Sequence, residues 1–225
     1  MGVYASRVWK GVTLGLVAIS LLAGCVSQEA IRKPTKESEG YYQQGLSFLD
    51  TDQQRAFVAF QKAIQLNPGN YDAHYALGHI YFLRKDYHEA ERAFRTSVEL
   101  DPKSGEALNY LGRTLIFLAR LPEAIETLKR ATALPLYATP DQAYVNLAYA
   151  WELQGDSPAA IQALQMALKI EPPNVPRALV YLGLGRLYMK QGEESKAREA
   201  LAQAKALDPQ GTAGAEASRL MQQLR

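Results

Sequence analysis

A pattern that returns every 34 residues limits what this chain can fold into more than any other feature. Leu77-Gly78 is followed by Tyr81, Ala90, Phe94 and Pro102. Thirty-four positions on, Leu111-Gly112 is followed by Leu115, Ala124, Leu128 and Ala131. Leu147-Ala148 leads to Trp151, Ala160, Leu164, Ala167 and Pro172, and Leu184-Gly185 to Tyr188, Ala197, Leu201, Ala204 and Pro209. An earlier copy runs Gly45, Phe48, Ala56, Phe60, Ala63 and Pro68. A fixed period of this length marks one supersecondary unit used repeatedly, each copy burying the apolar face of its neighbour.

Within each copy the spacing is helical. The Leu-Gly pair and the large residue three positions on share one face of a first helix. Gly, or Ala148 in the fourth copy, lets the second helix approach closely, and the small Ala that opens each second helix serves the same contact. Residues four and seven positions after that Ala stay on the inner face. Asn67-Pro68, Asp101-Pro102, Glu171-Pro172 and Asp208-Pro209 end second helices, because the residue before Pro is pushed out of the helical region. Lys85-Asp86 and Gln154-Gly155-Asp156 supply turns inside a repeat. The spacing predicts helix pairs at about 38–50 with 53–66, 71–84 with 87–100, 105–118 with 121–133, 141–154 with 157–170, and 178–190 with 194–207. Thr212 to Leu224, with Ala213, Ala217, Leu220, Met221 and Leu224 on one side, suits a helix that caps the last exposed face.

These offsets resemble the tetratricopeptide repeat, over about Gly40 to Pro209. The resemblance implies an all-α fold, a right-handed α-solenoid of five helix-turn-helix repeats plus a C-terminal capping helix. The expected organisation is a signal peptide at 1–24, a flexible lipid-anchored tether at 25–39, repeats over 40–209 (about 40–70, 71–104, 105–140, 141–177 and 178–210) and the cap at 211–225. Two departures from regularity stand out. The first copy is one residue short between Gly45 and Ala56. The junctions at Leu134-Pro135-Leu136-Tyr137-Ala138-Thr139-Pro140 and Pro172-Pro173-Asn174-Val175-Pro176 are longer than the others. Insertions in solenoids map to one edge, often the binding edge, and neutral loop drift is the plainer reading.

The start of the chain carries a second signal. Arg7 and Lys10 precede an apolar run, and Leu22-Ala23-Gly24-Cys25 closes it with the sole cysteine of the sequence. This reads as a secretory signal peptide. Gly11 to Ala23 is short of the roughly 20 apolar residues that a bilayer span takes. Met1-Gly2 with Ser6 fits a myristoylation pattern, but such a segment does not normally continue into an apolar run of this kind. Small residues directly before a cysteine resemble the lipobox of bacterial lipoproteins. That resemblance implies cleavage before Cys25, a diacylglyceryl thioether on its sulfur and an acyl chain on the new amino group. A thiol suits the chemistry because sulfur is a strong nucleophile near neutral pH. With one cysteine no intramolecular disulfide is possible, and acylation would remove a lone exported thiol. Val26, where Asp would signal retention under enteric-type sorting, implies an outer-membrane, periplasm-facing location.

Charge narrows the partners. Setting aside Arg7 and Lys10 leaves 23 basic against 23 acidic side chains, which argues against nucleic-acid binding and against a polybasic membrane patch. Catalytic and metal constellations are missing too. His74 and His79 are five apart on one helix, hence on different faces, and His88 starts the next. His74 falls at a packing position. No paired cysteines, phosphate loop or calcium loop is present; Gly183 and Gly185 lie inside a helix. Glu193-Glu194 and Glu37/Glu39 sit at helix starts, where the dipole favours acids. The expectation is a non-enzymatic protein with no catalytic residue, no metal, no cofactor beyond the acyl chains and no small-molecule substrate.

The tetratricopeptide-repeat resemblance implies that first helices line an inner, concave surface, and placing each by its Leu-Gly pair leaves a candidate client-binding groove there. It takes Tyr42 from the first repeat, Tyr75, His79 and Phe82 from the second, and Asn109, Arg113 and Ile116 from the third. Tyr149 comes from the fourth, and Arg186 and Met189 from the fifth. Rigid aromatic and planar groups suit peptide recognition; a solvated groove with no strong ligand is the alternative. The groove lacks the Lys/Asn/Arg set with which similar cochaperones grip a C-terminal carboxylate.

Lipoproteins with tandem repeats after a lipobox resemble the pilotins of type IV pili. Leu134 to Ala148, LPLYATPDQAYVNLA, is similar to the segment this family places between its third and fourth repeats. The resemblance implies a membrane-anchored protein whose client is an outer-membrane secretin subunit, escorted and assembled by binding alone. Two other readings stay open. One is a lipoprotein scaffold for cell-wall hydrolases, a periplasmic protease or the β-barrel assembly machinery. The other is an enzyme carrying a repeat domain, for which the repeats, tether and cap leave little chain.

Overall fold

Amphipathic segments of a dozen or so residues, separated by turns, become helices wherever their apolar stripes find a partner. The structure, a computed structural model, describes residues 35–224. Cys25, the apolar run before it and the first part of the expected tether lie outside the described residues. Eleven helices occur among the described residues: α1 (35–48), α2 (Gln53–Leu66), α3 (Tyr71–Leu83), α4 (Tyr87–Leu100), α5 (Gly105–Phe117), α6 (Leu121–Thr132), α7 (Pro140–Gln154), α8 (Ser157–Ala167), α9 (Arg177–Lys190), α10 (Glu194–Leu207) and α11 (Thr212–Gln223). No strand occurs among them. Helix ends lie within three residues of the positions that the repeat spacing predicts. The chain divides into two compact units, Met1–Ala73 and His74–Arg225.

In the first unit Ala56, Phe60 and Ala63 of α2 are fully buried. Ser38, where the expected tether (25–39) and the expected first helix (38–50) overlap, falls on the helix side, and the helix begins earlier, at 35. Ser38 belongs to α1 and is fully buried. Its hydroxyl donates to the Ala63 carbonyl at 2.8 Å and accepts from the Asn70 side-chain amide at 2.9 Å. The Asn70 side-chain oxygen in turn caps α3 by accepting from the Ala73 N–H. Residues 35–39 are therefore helix, because Ser38 anchors α1 to the end of α2 and to the residue that starts α3.

The second unit runs from the body of α3 to α11. A Cβ placed on Gly112 would lie 2.5 Å from the Leu128 side chain, and Gly78 and Gly185 stand in the same relation to Phe94 and Leu201. The close approach that the Leu-Gly motif predicts is thus realised three times. The turns within repeats follow one design. Asp86 N–H reaches back to the Tyr81 carbonyl and Lys85 N–H to that of Phe82. The same two bonds recur from Arg120 and Ala119, from Asp156 and Gly155, and from Glu193 and Gly192. This is the Schellman pattern, which requires one left-handed residue. Lys85 (φ 65°), Ala119 (φ 58°), Gly155 (φ 92°) and Gly192 (φ 74°) occupy it. Two of the four turns therefore carry a side chain where glycine is favoured.

At the C-terminal end Ala213, Ala217, Leu220 and Leu224 are buried against Leu182, Ala197, Leu201 and Ala204 of α9 and α10. The Asp208 carboxylate caps α11 by accepting from the Ala213 N–H at 3.0 Å.

Candidate functional site

Tyr75, His79 and Phe82 lie one and two turns apart on α3, and Tyr110, Arg113 and Phe117 do the same on α5, so each set forms one stripe. The two stripes meet. Tyr110 is the hub: its ring centroid is 5.8 Å from Tyr75, 5.1 Å from His79, 5.7 Å from Phe82 and 5.6 Å from Phe94. Phe82 continues the cluster to Tyr87 at 5.7 Å and Phe117 at 5.6 Å, and Tyr87 and Phe117 stack in parallel at 4.7 Å. Edge-to-face and offset contacts of this kind each add roughly 0.5–1.5 kcal/mol beyond area burial. The Arg113 guanidinium lies over both Phe82 (4.8 Å) and Tyr110 (5.0 Å). His79 is half-buried beside it. Burial, and secondly the Arg113 charge, hold its pKa below the usual histidine value, so its ring is neutral at neutral pH.

The structure brings together four of the expected groove residues: Tyr75, His79, Phe82 and Arg113. It withdraws two. Asn109 is only 2% exposed and its side-chain oxygen accepts from the Asn146 amide of α7 at 2.7 Å. Ile116 is buried in the core. Asn109 meets α7, which packs against α5, and Ile116 seven positions on lies on the same helix face, so the third repeat presents less of its first helix than the Leu-Gly register implies. Tyr149 is exposed on α7. Arg186 pairs with Glu216 of α11 at 3.3 Å, and Met189 packs on the C-terminal core. Tyr42, in the first unit, is half-buried 5.8 Å from Phe60. Burial, then the nearby Asp72 charge, raises its hydroxyl pKa.

Sequence reasoning missed Tyr110, Tyr87 and Phe117. The signal for Phe117 was in the period. Leu83, Phe117 and Leu153 close successive first helices at equivalent repeat positions, and they are 55%, 54% and 49% exposed. This ladder of large apolar side chains is therefore not consumed by the core.

The two lengthened junctions turn out to be one structure. Asp141, at the start of α7, is buried, and one of its carboxylate oxygens accepts from the backbone N–H groups of Asn174 (2.6 Å) and Val175 (2.7 Å). The other accepts from the Asn174 side-chain amide at 3.1 Å. On the α6–α7 side Tyr137 folds onto α5, where a Cβ on Gly105 would lie 2.3 Å from its ring. Burial pushes the Tyr137 hydroxyl pKa up to about 12. Leu136 beside it is 95% exposed.

Among the described residues no group of three or more His, Cys, Asp or Glu side chains could hold a metal ion, and no helix is long and apolar enough to cross a membrane. Tetratricopeptide-repeat family profiles match residues 39–70, 71–104, 110–176 and 153–224. The chain is a tetratricopeptide-repeat protein, and repeats of this class are typically non-enzymatic modules that bind other proteins. No curated protein matches the sequence. Several solved structures share the fold. PilW, described as a widely conserved type IV pilus biogenesis factor, is 22% identical over 83% of this chain and 92% of its own, with a TM-score of 0.69. PilF of Pseudomonas aeruginosa is 20% identical over 85% and 93%, with a TM-score of 0.67. YrrB, described as a repeat protein with an unusual peptide-binding site, is 21% identical over 85% and 97%, with a TM-score of 0.66.

Proposed function

We propose that this chain is an outer-membrane lipoprotein adaptor that binds a protein client and acts as a pilotin, promoting localisation and multimerisation of a type IV pilus secretin. The observation that carries the reading is the segment Leu134–Ala148. It resembles the pilotin family's segment between the third and fourth repeats, and here it is a built landmark: Tyr137 rests on Gly105 and Asp141 pins the next junction. The fold likeness to a type IV pilus biogenesis factor over most of both chains supports it. Binding without turnover fits the surface on α3 and α5, which offers aromatic, apolar and cationic groups for a peptide.

In this reading Cys25 carries the acyl chains that hold the protein to the leaflet. Each buried methylene contributes about 0.8 kcal/mol, so two or three chains anchor stably. The test is deletion of the gene followed by analysis of secretin multimers in outer membranes. Multimers should be lost, and restored by the native chain but not by Cys25→Ser. Normal multimers in the deletion strain would overturn the pilotin reading.

A further inference from the structure

Arg113 differs from every other arginine among the described residues. Arg55, Arg92, Arg95, Arg120, Arg177, Arg186 and Arg219 each pair with a carboxylate. Arg84 and Arg198 are exposed, as is Arg130. Arg113 alone is half-buried while its only partners are the rings of Phe82 and Tyr110. A guanidinium held on aromatic faces keeps its N–H edge for a planar acceptor, and it binds carboxylates in a fork that lysine does not reproduce. Its neighbours His79 from α3 and Tyr110 from α5 bring no carboxylate, and no ion pair forms with it among the described residues. Among the described residues this is a cation without an ion-pair partner, set on aromatic rings.

We infer that Arg113 is the anchor for a client carboxylate: the segment bound on α3, α5 and α7 carries an Asp or Glu side chain there, with large apolar residues beside it that sit on the Leu83, Phe117 and Leu153 ladder. This rests on the reading of the chain as a protein-binding adaptor and names the chemistry of its client. The charge is what selects the occupant, since a purely apolar segment would leave Arg113 half-desolvated and unpaired, which is unfavourable. The distance to be crossed fits a short peptide. Neighbouring helices pack about 10 Å apart, so three first helices span about 20 Å, the length of roughly six extended residues.

The test uses a display library of random peptides about ten residues long, fused at their C-termini so that no free terminal carboxylate is offered, and panned on the purified full-length chain. Selected sequences should carry an acidic residue within a few positions of large apolar ones. A selected peptide, synthesised with an amidated end, should bind about tenfold more weakly when its acid is replaced by the amide. Arg113→Gln should weaken the original peptide equally, with no further loss when both changes are combined. Arg113→Lys should fall between, and Arg198→Gln should leave affinity unchanged. The peptide substitution reads the contact on the native chain, so the test does not depend on how Arg113→Gln folds. Peptides that bind equally well without their acid, or with Arg113→Gln, overturn the carboxylate anchor and leave the adaptor reading intact. A library that yields no binder overturns both.

Discussion

Asp141 and Arg113 sit on packed first helices, α7 and α5, and both are charges drawn partly out of water, yet their surroundings differ in kind. The Asp141 carboxylate is buried and accepts three N–H groups from Asn174 and Val175. The Arg113 guanidinium rests on two rings, without a carboxylate among the described residues. A charge whose hydrogen-bonding capacity is met inside the fold joins two loops and is structural. A charge whose capacity is left over still has N–H groups to donate. The aromatic surface on α3 and α5 extends that contrast, because Phe117 and Leu83 stay half in water there while the α7 junction closes over Tyr137 and Asn109.

The sharpest way to break the contrast is Asp141→Ala. It removes three hydrogen bonds to a carboxylate that tie the start of α7 to the junction before α9, and bonds to charged groups contribute about 1.5–3 kcal/mol each when well shielded. Urea denaturation should show a loss of about 3 kcal/mol in total, whereas Arg113→Gln should change stability by less than about 1 kcal/mol. If the arginine substitution were the more damaging, Arg113 would be a structural group and the contrast would fail.

A smaller effect compares the turns beside the two charges. Ala119, after α5, holds φ 58°, and Gly155, after α7, holds φ 92°. Ala119→Gly should stabilise, and Gly155→Ala destabilise, by about 1 kcal/mol each. Equal and opposite shifts in the denaturation midpoint check it; no gain at Ala119 would mean that its side chain is compensated by contacts of its own.

The smallest effect is on pH dependence. Burial beside Arg113 lowers the folded-state pKa of His79 below the usual 6.5. The unfolded chain therefore takes up the proton first as pH falls, and stability declines from about pH 6.5 down to the folded-state pKa. His79→Gln should flatten the pH dependence of stability in that window. An unchanged profile would show that His79 does not sense the Arg113 surface.

The repeat, the helix ends and the close approach at Gly112 were legible because they depend on local spacing. The second unit's turns follow from the same period, although the left-handed residues at Lys85 and Ala119 carry no glycine signal. The groove was half legible. Tyr75, His79, Phe82 and Arg113 follow the Leu-Gly register, and Phe117 could have been found by stepping 34 residues from Leu83. Asn109 and Ile116 were misplaced because α7, arriving through a lengthened junction, covers their face of α5. The start of α1 at 35 and the role of Ser38 were missed because one polar residue after a proline-broken stretch does not reveal that its hydroxyl reaches the end of the next helix.

The sequence by itself determined the helical repeat and its register, since a period of 34 residues with Gly, Ala and Pro at set offsets permits one way of stacking. Only the tertiary structure decided which charges and aromatic rings are satisfied internally and which are left over. Asp141 meets Asn174 across 33 residues of chain, and Tyr110 gathers rings from α3 and α4. Pairings at that separation arise from helix packing, and no local pattern encodes them.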